Sequence, residues 1–352
     1  MIALFLLACS GGTDSADPYA GVSGVVAELG ENVWLPRYAD FSSEAAVLSG
    51  SVSSFCSAPS EDGLAAARSA WWSAKEPWKL ADSVAFGPYT EWGLRLGPEI
   101  DGWPTRPDLL QEVIDDTAPV DANMLGSTST GLPALGWLLF ASEAADFTER
   151  RCALAVALAV KLSADAELMV SAWSAEGADT LGALVDPSSN TEDDFMSSGD
   201  VLEEVFNRTL FAVENVRLIK LGKPAGLENG GAIDASLLEA PYSGRSLQDA
   251  RDNIHGVLQN WSGTYGDSDG QGLVDLLPAG TRDELDALVQ STAAEALDAL
   301  EAIPEPLVDS LSSSPSTVNA AIGALLPLQV ALQVDVAQAL QVTIQFNDAD
   351  GD

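Results

Sequence analysis

Residues 60–78 read Ser60-Glu-Asp-Gly-Leu-Ala-Ala-Ala-Arg-Ser-Ala-Trp-Trp-Ser-Ala-Lys-Glu-Pro-Trp78 and contain a clear helical pattern. Ser60 is a favourable N-cap residue, and the apolar side chains after it recur every three or four residues. They therefore share one helix face, which is expected to be buried. Pro77 is expected to kink this helix near its end, because proline removes a backbone hydrogen bond. The apolar face consists of Leu64, Ala67, Trp71, Ala74 and Trp78.

The same period recurs through most of the 352-residue chain, which is rich in Ala and Leu. Runs of β-branched residues are few, and no Asn-Gly or Asp-Gly turn lies between two alternating strand patterns. The sequence therefore predicts an all-α fold. The further substantial helices are expected at residues 35–56, 107–115, 152–173, 201–221, 246–261, 281–302 and 316–344.

Three further predicted helices have candidate capping residues. Asp146 with Glu149 has the spacing of a capping pair before the helix at 152–173, and Thr281 with Glu284 has the spacing of a capping box. Ser246 precedes the helix at 246–261 and is expected to cap it. Residues 87–130 are richer in Gly, Pro and Trp and predict an ordered excursion with short helices, of the kind that often shapes a site.

The length of the chain favours two parts, because a single core rarely serves so many residues. A polar break rich in Gly and Ser at residues 177–199 is the best internal boundary. Each side of it has about four substantial helices, which predicts two packed four-helix-bundle-like halves. The halves are placed at residues 33–195 and 196–352, and residues 10–32 are interpreted as a tether that leads into the fold.

The N-terminus predicts export. Residues 1–9 form a short apolar run that ends in Leu6-Leu-Ala-Cys9 and resembles a bacterial lipobox, with small Ala8 at the cleavage position and Cys9 as the acylated residue. The run is too short to span a bilayer. Ser10 follows the cysteine, which favours lipid anchoring at the periplasmic face of the outer membrane. The membrane is then a partner through the anchor. A merely hydrophobic start is the alternative.

The charge balance excludes nucleic acid as a partner. The chain has 53 acidic and 16 basic residues and a formal net charge of -37, which repels phosphate backbones and anionic lipid head groups. The simplest explanation is a solvated acidic surface. Attraction of cations is the alternative, and it requires clustered carboxylates.

Apart from Cys9, the chain contains Cys56 and Cys152, an even pair in a protein expected to reach an oxidising compartment. We predict a disulfide between them, which would join the end of one helix to the start of another. Two buried free thiols are the alternative.

Six segments, taken in order, resemble the imelysin-like family. The resemblance implies two helical bundles related by a pseudo-duplication, location as a periplasmic or outer-membrane lipoprotein, and a link to iron uptake, with some members classed as metallopeptidases. The six segments are residues 67–78 (Ala67-Arg-Ser-Ala-Trp71 with Trp78), 86–88 (Phe-Gly-Pro), 100–104 (Ile-Asp-Gly-Trp-Pro), 131–140 (Gly-Leu-Pro-Ala-Leu with Leu-Leu-Phe), 242–246 (Tyr-Ser-Gly-Arg-Ser) and 346–352 (Phe-Asn-Asp-Ala-Asp-Gly-Asp).

The peptidase class in that family rests on a Gly-x-His-x-x-Glu motif, whose His and Glu lie three residues apart on a helix and face one metal or water. Here Gly131 is kept, but Pro133 and Gly136 stand at the His and Glu positions. Neither side chain binds a metal or moves a proton, so no catalytic residue is assigned. The one histidine of the chain is His255, whereas a zinc hydrolase needs about three protein ligands.

The candidate ligand-binding residues are expected in a pocket between the bundles. Arg68 with Trp72 and Trp78 would line one side, although aromatic residues at helical spacing are more often core. Ser243 and Arg245 precede a helix, where backbone N–H groups and a guanidinium hold anions or carboxylates.

Metal candidates are the C-terminal Asp348, Asp350 and Asp352 and the loop residues Asp267 and Asp269, which alternate oxygen ligands as calcium prefers. Neither set is followed by the Glu that completes an EF-hand loop, and polar turns are the alternative. The cofactor is unknown, with iron or another divalent cation expected from the resemblance.

We therefore expect a surface-tethered, non-catalytic imelysin-like lipoprotein that acts as a binding or accessory component in metal acquisition, with iron-uptake machinery as a partner. One alternative is a divergent metallopeptidase with a site rebuilt from carboxylates such as Glu76, Asp82, Glu91 and Glu143. Another is a protein-binding component of the cell envelope.

Overall fold

The computed structural model describes residues 19–90, 94–189 and 195–346, and the regular secondary structure of these residues is almost entirely helical. The all-α prediction is confirmed. Within the described ranges the only strands are β1 (Thr264–Tyr265) and β2 (Ser268–Asp269), an antiparallel hairpin that sequence analysis missed. Its turn is Gly266-Asp267, and a Gly-Asp pair is a hairpin signal. The two-residue strands on either side are too short to show an alternating pattern in the sequence.

Fourteen α-helices are present in the described residues. The first eight are α1 (Val22–Leu29), α2 (Leu35–Ser57), α3 (Glu61–Leu80), α4 (Leu96–Asp101), α5 (Pro107–Asp115), α6 (Gly131–Phe140), α7 (Glu149–Trp173) and α8 (Thr180–Val185). The others are α9 (Ser198–Glu214), α10 (Ser246–Ser262), α11 (Arg282–Glu301), α12 (Leu307–Ser313), α13 (Pro315–Val330) and α14 (Ala337–Leu340).

Two predicted long helices are not regular throughout. The helix expected at residues 201–221 is α9 followed by a π-helical segment, Asn215–Gly222. The helix expected at 316–344 is α13, a second π-helical segment (Ala331–Val336) and then α14. Residues 315–340 are long and apolar enough to cross a membrane, but half of their most apolar part is buried in the protein, as in a core helix.

Helix α3 forms as its sequence pattern predicts. The Ser60 hydroxyl accepts a hydrogen bond from the Gly63 N–H at 3.2 Å, which caps the helix. The predicted apolar face is fully or almost fully buried, and it packs against α2 and α10. The helix continues past Pro77 to Leu80 and then tightens into a 3₁₀ turn at Ala81–Val84.

The other predicted caps were wrong. Helix α7 is capped by Thr148, whose hydroxyl accepts from Arg151 N–H, while Asp146 accepts from the Glu143 N–H and closes the preceding turn. Thr281 precedes α11 without capping it, because its hydroxyl donates to the carbonyl of Pro278. In both cases the side chain is hydrogen-bonded to the turn before the helix and is not available to cap the helix.

Helix α10 approaches the N-terminal helices closely. A Cβ at Gly256 would lie 2.2 Å from the Leu80 carbonyl oxygen, so a glycine is required there. Arg37 on α2 is fully buried and donates to Gly256 O (3.0 Å), Gln259 Oε1 (2.9 Å) and neighbouring neutral acceptors. Burial lowers the pKa of Arg37 to about 9. Neutral acceptors therefore satisfy this guanidinium where α2 meets α10.

The buried apolar residues form one connected core from Val22 to Leu340 within the described part of the chain. Helix α1, inside the predicted tether at 10–32, packs on α8 and α9. The core is continuous across residue 195. The division into halves at that residue, and their duplication, stay predictions.

Cys56 at the end of α2 and Cys152 in the first turn of α7 form a disulfide, with their Cα atoms 5.3 Å apart. This predicted pairing is confirmed. The bridge links residues 96 positions apart, and closing so long a loop restricts the unfolded chain.

Replacing both cysteines with serine is expected to lower the free energy of unfolding by about 2–4 kcal/mol, because the unfolded chain regains the freedom that the bridge removes. Urea unfolding of the oxidised protein and of the double variant measures the difference. Reductant should weaken the parent protein and leave the variant unchanged. Equal unfolding midpoints without reductant would contradict the account.

Candidate functional site

The segment that lacks the metal motif forms α6. Gly131 begins it with φ of +68°, and a Cβ there would lie 2.1 Å from the Ile100 carbonyl oxygen. Only glycine therefore lets the helix start against α4. The four leucines of α6 are fully buried, as the pattern of a packed scaffold helix predicts: Leu132, Leu135, Leu138 and Leu139.

Gly136 allows an aromatic ring to lie against α6. A Cβ at this position would be 3.1 Å from Cζ2 of Trp71, and the Trp71 indole N–H donates to the Leu132 carbonyl at 2.8 Å. The Lys75 ammonium lies over the same ring, 5.8 Å from its centroid. Trp71 thus occupies the space into which a side chain at residue 136 would extend.

A small cavity lies beside Trp71, between α6 and the loop at residues 236–243. We call it the loop pocket. Its volume is about 30 Å³, which is space for about one water molecule. Ser246 Oγ accepts from the Ala240 N–H at 3.1 Å, so the serine predicted to cap α10 instead fastens this loop. The pocket is lined by Trp71, Lys75, Pro104, Thr105, Pro133, Gly136, Ser236 and Leu238 to Ser243.

Beneath the loop pocket lies a group of buried charges that we call the charged cluster. Its side chains come from α3, α4, the 3₁₀ turn after α3, the π-helical segment Asn215–Gly222, the loop at 236–243 and the start of α10. None of them is more than 13% exposed. The cluster consists of the cations Lys75, Lys79, Lys220 and Arg245 and the carboxylates Asp82, Asp101, Glu239, Asp249 and Asp252.

Lys79 has three carboxylate neighbours. Its ammonium contacts Asp82 Oδ2 at 3.1 Å, Asp101 Oδ2 at 2.5 Å and Glu239 Oε1. Lys75 lies 2.8 Å from Asp101 Oδ1.

The remaining pairs extend the cluster in two directions. Lys220 contacts Asp82 at 2.9 Å and Glu239 at 3.1 Å. Arg245 pairs with Asp249 and, at 2.8 Å, with Asp252, while its guanidinium lies 5.2 Å from the Trp72 ring centroid. Charges of opposite sign therefore alternate through the cluster.

Lys79 and Glu239, at the centre of the cluster, are ionised because each has several partners of opposite charge. Burial alone would raise the pKa of Glu239, but the ammonium groups of Lys220, Lys79 and Lys75 hold that pKa well below its ordinary value. Burial alone would lower the pKa of Lys79, and the surrounding carboxylates hold it well above its ordinary value.

The edge of the cluster at α10 behaves differently. Burial raises the pKa of Asp252 to about 6, although Arg245 opposes this shift, and burial likewise raises the pKa of Asp249. The cluster has one carboxylate more than it has cations. A proton on Asp252 or Asp249 would remove this surplus charge.

The predicted ligand residues are only partly brought together. Ser243 lines the loop pocket, and Arg245, a member of the charged cluster, contacts the Trp72 ring. Trp78 is core, with its indole N–H donating to Asp101 at 3.0 Å. Arg68 lies on α3, and its side chain donates to two backbone carbonyls at the end of α6, Leu139 O at 2.8 Å and Ser142 O at 2.7 Å.

The carboxylates proposed for a rebuilt peptidase site have separate surroundings. Asp82 belongs to the charged cluster, Glu76 is exposed in an open groove with Asp40, and Glu143 caps the turn before α7. Glu91 lies outside the described residues.

The structure tests few of the metal candidates. Asp267 and Asp269 lie in the β1–β2 hairpin. Asp348, Asp350 and Asp352 lie outside the described residues, as does Cys9. Among the residues that are described, no group of three or more His, Cys, Asp or Glu side chains is arranged to hold a metal ion.

Lys75, Lys79 and Glu239 were not among the residues predicted from the sequence. A signal was present for the lysines, since they follow Trp71 at four-residue intervals and so extend the buried face of α3. A charged residue on a buried face requires partners. Glu239 lies in a loop and has no periodic signal.

The imelysin family model, Peptidase_M75, matches residues 34–332. This chain belongs to the imelysin family. A family relative from Synechococcus elongatus, named iron-regulated protein A, is 24% identical over 284 residues, which cover 80% of this chain and 76% of the relative.

Two solved structures have the same fold as this imelysin-family chain. One is a putative iron-regulated protein A precursor from Parabacteroides distasonis, with a TM-score of 0.77, 20% identity and coverage of 93% of this chain and 97% of that one. The other is an imelysin-like protein from Psychrobacter arcticum, with a TM-score of 0.74, 18% identity and coverage of 98% and 100%.

Gly136→Ala is expected to destabilise the protein by about 1–3 kcal/mol, because the added methyl group displaces Trp71 from α6. Gly323→Ala is the matched control: it lies in helix α13 with nothing within 4 Å of its added Cβ, so it should stabilise by about 0.5–1 kcal/mol. Denaturant unfolding gives both values. A neutral effect of Gly136→Ala would contradict the packing described here.

Asp252→Asn is expected to change how stability depends on pH. Since the folded-state pKa of Asp252 is raised to about 6, its ionisation costs stability as pH rises from about 4 to 6. The variant should therefore gain on the parent protein by up to roughly 3 kcal/mol over that interval. Unfolding at pH 4 and pH 7 measures this, with the exposed Asp298→Asn as control. A difference independent of pH would contradict it.

Proposed function

We propose that this imelysin-family protein is a non-catalytic binding component of iron acquisition, tethered to the cell envelope by a lipid on Cys9. The iron is its cargo, bound as a complex. The observation that carries the non-catalytic part is the loop pocket, where Pro133 and Gly136 replace the motif's His and Glu. Neither side chain ligates a metal or transfers a proton there.

The charged groups at this pocket, Lys75 and Glu239, are already engaged. Lys75 is paired with Asp101, and Glu239 is paired with Lys79 and Lys220. A nucleophilic water needs a free base or a metal ion, and these groups supply neither while they remain paired. Binding is therefore favoured over hydrolysis.

The iron cargo is supported by the relatives named iron-regulated protein A. The precursor among them, together with the lipobox-like Leu6 to Cys9 and the Cys56–Cys152 disulfide, supports export. We assign the ligand-binding face to the opening of the loop pocket. Because the cavity has space for about one water, a larger ligand requires the loop at residues 236–243 to move.

Calorimetry with ferric citrate and with haem tests the cargo. We expect one of them to bind, and Ser243→Trp, which places a bulky side chain at the pocket, to weaken binding by roughly tenfold or more. Ser312→Trp, at an exposed position of α12, is the control and should bind as the parent does. Absence of binding by both ligands would contradict the cargo, and equal binding by Ser243→Trp would contradict the assigned face.

Cleavage of unfolded protein substrates tests the peptidase alternative. We expect no cleavage. Chelator-sensitive cleavage that is lost on substitution of Glu76, Asp82, Glu91 or Glu143 would contradict the non-catalytic assignment.

Cys9→Ser is expected to prevent acylation and to release the protein from membrane fractions; retention at the membrane would contradict the anchor.

A further inference from the structure

We propose that Asn229 is a site of spontaneous deamidation, at which the folded protein slowly converts this asparagine to isoaspartate and aspartate. The proposal rests on the turn at residues 229–232 and is independent of the iron cargo. Asn229-Gly230 is the one Asn-Gly pair in the sequence. The backbone nitrogen after an asparagine can attack the carbon of the side-chain amide, and a glycine there has no Cβ to obstruct the attack.

The first observation is the shape of the turn. The Ala232 N–H donates to the Asn229 carbonyl oxygen at 3.0 Å. Between them, Gly230 and Gly231 have φ of +60° and +87°, as in a type I′ turn. A Cβ at either glycine would have nothing within 4 Å. The space beside the Gly230 backbone is therefore open to the Asn229 side chain and to water.

The second observation is that both reacting groups are free of competing hydrogen bonds. The Asn229 side chain is exposed, and among the described residues neither its amide group nor the Gly230 N–H has a partner. Asn123 is also exposed, but its side-chain amide donates to Asp121 Oδ1 at 3.2 Å. The N–H that follows it, that of Met124, donates to the Asp121 carbonyl at 3.2 Å. Asn123 is therefore a matched exposed asparagine that is held away from the reaction.

The reaction has two steps. In the first, the Gly230 nitrogen loses its proton to a solvent base and bonds to Cγ of Asn229, while the side-chain nitrogen takes up a proton and leaves as ammonia. In the second, water opens the resulting succinimide. Breakage of the bond from Cγ to nitrogen gives aspartate, and breakage at the main-chain carbonyl gives isoaspartate. One water is consumed, one ammonia is released and nothing is oxidised or reduced.

Conversion changes the segment that leads to the loop at residues 236–243. Isoaspartate adds a methylene to the main chain and removes the carbonyl that accepts from Ala232, and either product adds a carboxylate. The turn belongs to a longer loop that the Asp234 N–H closes by donating to the Pro224 carbonyl at 2.9 Å. This loop joins the segment that carries Lys220 to the one that carries Glu239.

Incubation of the folded protein in heavy-oxygen water at mildly alkaline pH, followed by peptide mass spectrometry, tests the proposal. We expect the peptide that contains Asn229 to take up one heavy oxygen and to contain isoaspartate. Its conversion should become faster as pH rises, because the Gly230 nitrogen must lose a proton. The peptide that contains Asn123 should remain unchanged over the same incubation.

Two variants complete the test. Asn229→Gln should abolish the conversion, because the longer side chain closes this ring poorly, and Gly230→Ala should slow it, because the added Cβ obstructs the attack. Equal conversion of Asn123 and Asn229 in the folded protein, or an unchanged rate in Gly230→Ala, would overturn the proposal. Conversion of Asn229 in the urea-unfolded chain but not in the folded protein would also overturn it, since the turn would then protect the residue.

Discussion

The structure depends on the pairing of buried charges where α3 meets the start of α10. Lys75 and Lys79 project from the buried face of α3, and without Asp101, Asp82 and Glu239 their desolvation would oppose folding. Removing one member of such a buried pair typically costs about 3–5 kcal/mol, because the other charge remains buried. The cluster therefore fixes how α3, α4, the π-helical segment and α10 are placed relative to one another.

The same ion pairs include two residues that line the loop pocket, Lys75 and Glu239. At residue 136 a glycine admits the Trp71 ring, and the Lys75 ammonium lies over that ring while it is paired with Asp101. At the position where the family motif has its Glu, this chain has a glycine that packs against Trp71. The two charged residues that line the pocket, Lys75 and Glu239, are both engaged in ion pairs.

Periodicity along the sequence predicted most of the fold. The buried face of α3, the bounds of α5 and the buried leucines of α6 followed from spacing, and export and cysteine parity predicted the disulfide. The π-helical segments were missed because the apolar pattern continues through them. The caps of α7 and α11 were wrong because the hydrogen bonds of the preceding turns, which compete for the same side chains, have no signature in spacing.

The site was less predictable for a physical reason. Ser243 lines the loop pocket and Arg245 contacts Trp72 in the structure, but their role as ligand-binding residues stays a prediction. Arg68 bonds backbone carbonyls more than seventy positions away, and Glu239 pairs with Lys75 and Lys79, which are more than a hundred and fifty positions away. Long-range ion pairs of this kind follow from the fold.

The central claim is that lysines, and not a metal ion, balance the carboxylates of the charged cluster. The most direct measurement is anomalous diffraction from crystals of the parent protein soaked with Mn²⁺ or Fe²⁺. The account predicts no anomalous peak among Asp82, Asp101 and Glu239, with Lys79 between them. A peak ligated by Glu239 and Asp101, with Lys79 displaced, would contradict it.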